Sequence, residues 1–93
     1  MRITPDIIRE EFVGTNGTIV SSPHSGYLDV KGMVRGETRN TFLIEQQGEM
    51  KRIVKDQAVF HFKFSDGTVV EINGKLLVGK PEDRIKKIMK RLW

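Results

Sequence analysis

The side chains in this chain that could carry covalent or metal chemistry are few, and their spacing frames none of them. The two histidines are His24, in a Ser/Pro/Gly loop, and His61, in a run that alternates with phenylalanine. Ser21, Ser22 and Ser25 lie near His24, but no nucleophile elbow and no third member frames them, and serines in such a loop are ordinarily turn formers. A short zinc motif needs cysteine, a His-Glu-x-x-His segment or two histidines at i,i+4, and none of these occurs. A two-metal nuclease needs clustered carboxylates. Asp29, Glu37, Asp56, Asp66 and Glu71 are instead scattered over strand ends and turns, which leaves only a cluster assembled in space. Gly79-Lys80-Pro81 lacks the pattern of a phosphate-cradling loop. The expectation is a chain with no catalytic residue and no cofactor or metal site, and a self-sufficient hydrolase is the weakest reading.

Binding a polyanion asks less of a sequence, because Lys and Arg neutralise phosphates and release counterions. Residues 1–79 balance ten Lys/Arg against ten Asp/Glu, and residues 80–93 hold six against two, so the whole net charge of +4 sits at the end. The candidate RNA contacts are Arg35, Arg39, Lys51, Arg52 and Lys55, with Lys80, Arg84, Lys86, Lys87, Lys90 and Arg91 in that final segment. A solvated helix face is the lesser alternative for the terminal charges, and an ordinary charged strand accounts equally for Lys51, Arg52 and Lys55. Aromatic stacking surfaces are poorly represented, since Phe60, Phe62 and Phe64 read as core. Recognition should therefore follow backbone shape more than base sequence.

The elements that must position these cations fit one domain over residues 1–93. Thr4, Pro5 and Asp6 suit the N-cap and first turn of a short helix over about 4–13, with Ile8 and Phe12 on one face. From about 17 to 78 the hydrophobic period is two. Strands are expected at 18–20, 28–35, 41–45, 50–54, 59–64, 69–72 and 76–78, with Asp66-Gly67 and Asn73-Gly74 as hairpin turns. Gly32 and Gly36 inside a strand predict strong bending or a close backbone crossing. Short strands with no intervening helix predict an antiparallel sheet, best closed to remove its edges. A second helix over about 81–92 opens on Pro81 and carries Ile85, Ile88, Met89 and Leu92 on one stripe. The class is thus mainly β, a small twisted antiparallel barrel between two terminal helices. The chain has no cysteine, no run of the ~20 apolar residues that span a membrane and no apolar signal-peptide core at its start, so the expected location is the cytoplasm.

Several blocks are more specific than any periodicity. In order they are Ile8-Ile-Arg-Glu-Glu-Phe-Val-Gly14, Gly32-Met-Val-Arg-Gly-Glu-Thr-Arg-Asn-Thr-Phe-Leu-Ile44, Lys55, Val59-Phe-His-Phe62, Ile72-Asn-Gly-Lys-Leu-Leu77 and Lys80-Pro-Glu-Asp-Arg84. Together they closely resemble archaeal ribonuclease P protein component 1, the family related to the eukaryotic Pop-four subunit, over nearly the whole chain. The resemblance implies an Sm-like barrel flanked by helices. It also implies a noncatalytic subunit of the ribonucleoprotein that removes the 5′ leader from precursor tRNA, with cleavage carried out by the RNA component using magnesium. Implied partners are ribonuclease P RNA, at its specificity part, a zinc-ribbon protein subunit in a heterodimer, and precursor tRNA within the holoenzyme. Lys80 stands where the family commonly has Arg, which keeps the charge and loses the planar fork. The second reading of the same residues is a generic Sm-like module that oligomerises on RNA.

Overall fold

In a computed structural model the chain is described at Ile7 and over residues 11–80. Six strands follow one another: β1 (Asn16–Ser21), β2 (Lys31–Glu37), β3 (Thr41–Gln46), β4 (Glu49–Val54), β5 (Val59–Lys63) and β6 (Val69–Asn73). They form a single antiparallel sheet in the order β4-β3-β2-β1-β5-β6. Sequence neighbours pair throughout, except that β5 returns to the first strand instead of pairing with β4.

The sheet rolls but does not close. Among the described residues no ladder joins its edge strands, β4 and β6, which corrects the expected barrel. The reason is local. Each edge strand ends in a short 3-10 helix, Lys55–Gln57 after β4 and Gly74–Leu77 after β6, and the two helices pack on each other. Backbone groups turned into i,i+3 bonds cannot extend a ladder. The strand expected at 76–78 is therefore absent. Asn73 keeps a negative φ of −68° and its side chain accepts the Lys75 amide at 3.0 Å, opening the 3-10 helix. A type I′ hairpin would need positive φ at both central positions. The second strand likewise begins at Lys31, not Leu28, because Asp29 takes a left-handed φ of 68°. The helices expected over 4–13 and 81–92 lie outside the described residues except at Ile7 and residues 11–13, and residues 11–13 are not helical but run into a turn at Gly14, whose φ is 96°.

Two irregularities set which residues face inward. On β2, Val34 pairs with Ile44 but Gly36 pairs with Leu43, so Arg35 is the extra residue of a bulge. The bulge reverses the alternation and turns Glu37 inward, opposite the buried Phe42. On β1, Val20 is the extra residue against β5. The close crossing expected at Gly32 is present: a Cβ there would lie 1.9 Å from the Glu45 carbonyl oxygen.

The core is aromatic. Phe12, Phe42, Phe60 and Phe62 are fully buried among Ile19, Val34, Ile44, Ile53, Ile72 and Leu77. Phe12 stacks on Phe62 at 4.3 Å, and Phe42 meets both Phe60 and Phe62 edge-on. Such pairs add about 0.5–1.5 kcal/mol each beyond area burial. Phe64, expected on the same face, is only half buried.

Candidate nucleic-acid interface

One ammonium group organises the end of the roll where the cations gather. Lys55 follows Ile53 at a spacing of two and points, like it, into the interior, where it is fully buried. Its Nζ donates to Glu37 Oε2 at 2.5 Å and to the carbonyl oxygens of Thr38 at 2.8 Å, Arg39 at 3.2 Å and Gly79 at 2.8 Å. It also sits 4.8 Å from the centroid of the Phe42 ring. Glu37 is itself only 5% exposed. A buried charge survives only when paired and hydrogen-bonded, and here its partners come from the β2–β3 turn and from the chain beyond β6. Lys55 is therefore a structural cation and leaves the set of phosphate contacts.

This knot brings two expected contacts together. The Gly79 amide donates to the Arg39 carbonyl at 2.6 Å, so Arg39 and Lys80 emerge side by side, both exposed. The β2–β3 turn that carries Arg39 is braced further: the Thr41 amide donates to Thr38 Oγ1, and the Lys55 amide to the Asn40 carbonyl. Thr38 and Glu37 thus shape the turn that displays Arg39.

The other described cations divide by strand parity. Leu43 faces Arg52 across β3–β4 and Gly36 across β2–β3, so Arg35 and Arg52 flank Leu43 on the outer face. Lys51 stands opposite the buried Ile44, on the other face from Arg52. Two of these charges are shared with carboxylates, Arg35 with Glu45 at 3.2 Å and Lys51 with Glu49 at 3.1 Å. Among the described residues, Arg39 and Arg52 engage no carboxylate. Arg84, Lys86, Lys87, Lys90 and Arg91 lie outside the described residues.

One aromatic pair went unpredicted. His24 and Tyr27 stack at 4.4 Å with ring planes 18° apart. They are three residues apart around the 3-10 helix Ser25–Tyr27, a conformation that eclipses positions i and i+3. That spacing across Ser25-Gly26 was the available signal. Ser22 has a task in the same loop: its Oγ donates to the Gln57 carbonyl at 2.5 Å and accepts the His24 amide at 3.0 Å. Ser21, Ser22, Asp56, Gln57, Asn73 and Lys75 line an open polar concavity of about 260 Å³, smaller than ordinary ligand pockets of about 300–1,000 Å³. His61 pairs with Glu71 at 2.8 Å across β5–β6, on the exposed face. No group of three or more His, Asp or Glu suited to a metal ion occurs among the described residues. No helix there is long and apolar enough to cross a membrane.

Comparison with known proteins places these features in a family. The family model described as "Ribonuclease P/MRP, subunit p29" matches residues 5–87. The chain is 40% identical over 94 residues to Ribonuclease P protein component 1 of Methanococcus maripaludis, covering 98% of each chain. It is 45% identical over 87 residues to the protein of that name from Methanothermobacter thermautotrophicus, covering 91% of this chain and 94% of the relative. A solved structure described as "Structure of Mth11: A homologue of human RNase P protein Rpp29" superposes with a TM-score of 0.61 at 41% identity, over 81% of this chain and 97% of the other. With a rolled six-stranded sheet, a cation-bearing turn and a family match running through both, the chain belongs to the ribonuclease P/MRP subunit p29 family.

Proposed function

We propose that the chain is a noncatalytic protein subunit of ribonuclease P that binds the catalytic RNA, at its specificity part, and helps it fold. The observation that carries this reading is the pinning of Arg39 beside Lys80 by a buried cation. A protein that only needed solubility would gain nothing by fixing two exposed cations on separate chain segments. Holding the backbone of both segments in place lowers the ordering cost of presenting the two cations together to approaching phosphates. Arg52 adds an exposed cation on β4, and the terminal basic segment follows directly from Lys80.

Within this reading, cleavage of precursor tRNA belongs to the RNA component and its magnesium, and the protein binds no cofactor. A zinc-ribbon subunit is the expected protein partner in a one-to-one heterodimer, and the outer edge of β4, which pairs with no further strand among the described residues, is a natural place for such a contact. The relation to the Pop-four subunit and to Sm-like barrels belongs to the same proposal, with the two edge strands approaching through their 3-10 helices and joined by no ladder among the described residues. Reconstitution tests it. At low magnesium the RNA component should cleave precursor tRNA faster with this chain and its partner than without them, and the chain alone should cleave nothing. Cleavage by the purified protein without RNA, or no effect of the protein on the RNA component, would refute the proposal.

A further inference from the structure

We propose that the His24 ring, lying on Tyr27, is a stacking platform for one unpaired base of the bound RNA. The inference rests on the RNA-binding reading above and adds to it a contact with a base. Tyr27 is half buried and packs against the core, while His24 is exposed on top of it. One face of the imidazole is therefore backed by a ring that is itself backed by the core, and the other face is offered to solvent.

The platform is held in place before anything binds. The Ser22 hydroxyl ties the loop to the Gln57 carbonyl and accepts the His24 amide. The Tyr27 amide donates to the His24 carbonyl at 3.0 Å, closing the turn between the two rings. Tyr27 Oη accepts the Val54 amide at 3.3 Å, fixing the supporting ring to the edge strand β4. Gly26 makes room: a Cβ there would lie 3.1 Å from His24 Cε1 and 3.3 Å from Nδ1. An exposed ring with no role would not need these restraints, and a ring fixed in advance gains more from each base it stacks.

Charge lies where a nucleotide on the platform would need it. Arg52 is two residues before Val54 on the same strand, so the two share a face about 7 Å apart along it. Arg52 engages no described carboxylate. The strand that anchors the platform thus also carries a cation, and base stacking of this kind suits single strands and loops whose bases are splayed out.

The test measures binding of the full chain to an in vitro transcript of archaeal ribonuclease P RNA across a salt series. His24→Ala should weaken binding about 5- to 150-fold, the range of a single base–aromatic stack, with the salt slope and the melting temperature unchanged. His24→Trp should restore or exceed the original affinity, because a larger ring stacks at least as well. Equal affinity for His24→Ala and the unaltered chain, or failure of His24→Trp to restore a loss, would overturn the stacking inference. So would an unchanged RNA affinity with weakened binding of the zinc-ribbon subunit, which would assign the ring to the protein partner. If the unaltered chain itself shows no salt-dependent affinity, the RNA-binding reading fails first, and the two failures are told apart.

Discussion

Replacing Lys55 with methionine should remove a large part of the stability of this domain. Methionine keeps the length and apolar stem of the side chain, so little volume changes and the cavity cost is small. What changes is charge. Glu37, 5% exposed and 2.5 Å from the ammonium, would face the interior without its cation. Breaking a buried pair from one side costs about 3–5 kcal/mol. The Thr38 and Gly79 carbonyls would each also lose the ammonium at 2.8 Å, whereas the Arg39 carbonyl would keep the Gly79 amide. Two such lost bonds add about 2 kcal/mol, for a total near 5–7 kcal/mol. Domains of this kind are stable by about 5–15 kcal/mol, so Lys55→Met should be marginal or unfolded at 37 °C. Urea unfolding followed by circular dichroism checks it, with the midpoint falling and the slope m unchanged. A loss below about 1 kcal/mol would mean that the ammonium is not the centre of this packing, and the account of how Arg39 and Lys80 are placed would fall with it.

Three further outcomes follow from the same geometry. Gly32→Ala should cost about 3 kcal/mol or more in urea unfolding, because its Cβ would lie 1.9 Å from the Glu45 carbonyl oxygen and only backbone movement relieves an overlap of that kind. Phe62→Ala should cost about 3–5 kcal/mol by the same assay, since the ring is fully buried and touches Phe12, Phe42 and Phe60. Arg39→Ala should leave stability within about 0.5 kcal/mol and reduce the slope of log affinity for RNA against log salt by about 0.9, the value of one phosphate contact on a duplex; an unchanged slope would remove Arg39 from the interface.

Much of the sheet was legible because its signals are local. Phe60 and Phe62 alternate with Val59 and His61, and the structure buries the first pair fully. Asp66-Gly67 makes its turn, with Gly67 at a φ of 89° and the Thr68 amide on Asp66 Oδ1. Asn73-Gly74 carries the same kind of signal and does something else, because a local pair cannot tell a hairpin from a side-chain cap; that choice is made by the packing of residues 74–77 on residues 55–57. Closure was not legible for the same reason. The candidate site was hidden more deeply. Lys55 continues the inward parity of Ile53, so its direction was readable, but a lysine beside Asp56 looks solvated until Glu37, 18 residues away, and Gly79, 24 residues away, are seen around it. Glu37 faces inward only because Arg35 is bulged out, and a bulge leaves little trace in a pattern of period two. His24 and Tyr27 were missed because loop residues were read for their turns and not for the ring-on-ring spacing that a 3-10 helix creates.

A buried ion pair is a poor way to gain stability, which raises the question of what this one is for. Two charges removed from water are commonly replaced by uncharged groups at little or no loss. Glu37→Gln with Lys55→Met removes both charges at once and leaves no unpaired charge in the interior. The double variant should therefore be more stable than Lys55→Met alone, by about 2 kcal/mol or more, as expected for residues in one network. Stability, however, is not all that the ammonium supplies. Methionine at position 55 has no donor with which to grip carbonyls from the β2–β3 turn and from Gly79 together, and those bonds set Arg39 against Lys80. The double variant should consequently fold yet bind RNA less tightly and with a shallower salt slope, because its exposed cations are no longer held in register. Folding and binding would then separate in a protein whose surface charges are all intact. If the refolded double variant bound RNA like the unaltered chain, the buried pair would be a relic of packing, and the placement of the surface cations would need a different cause.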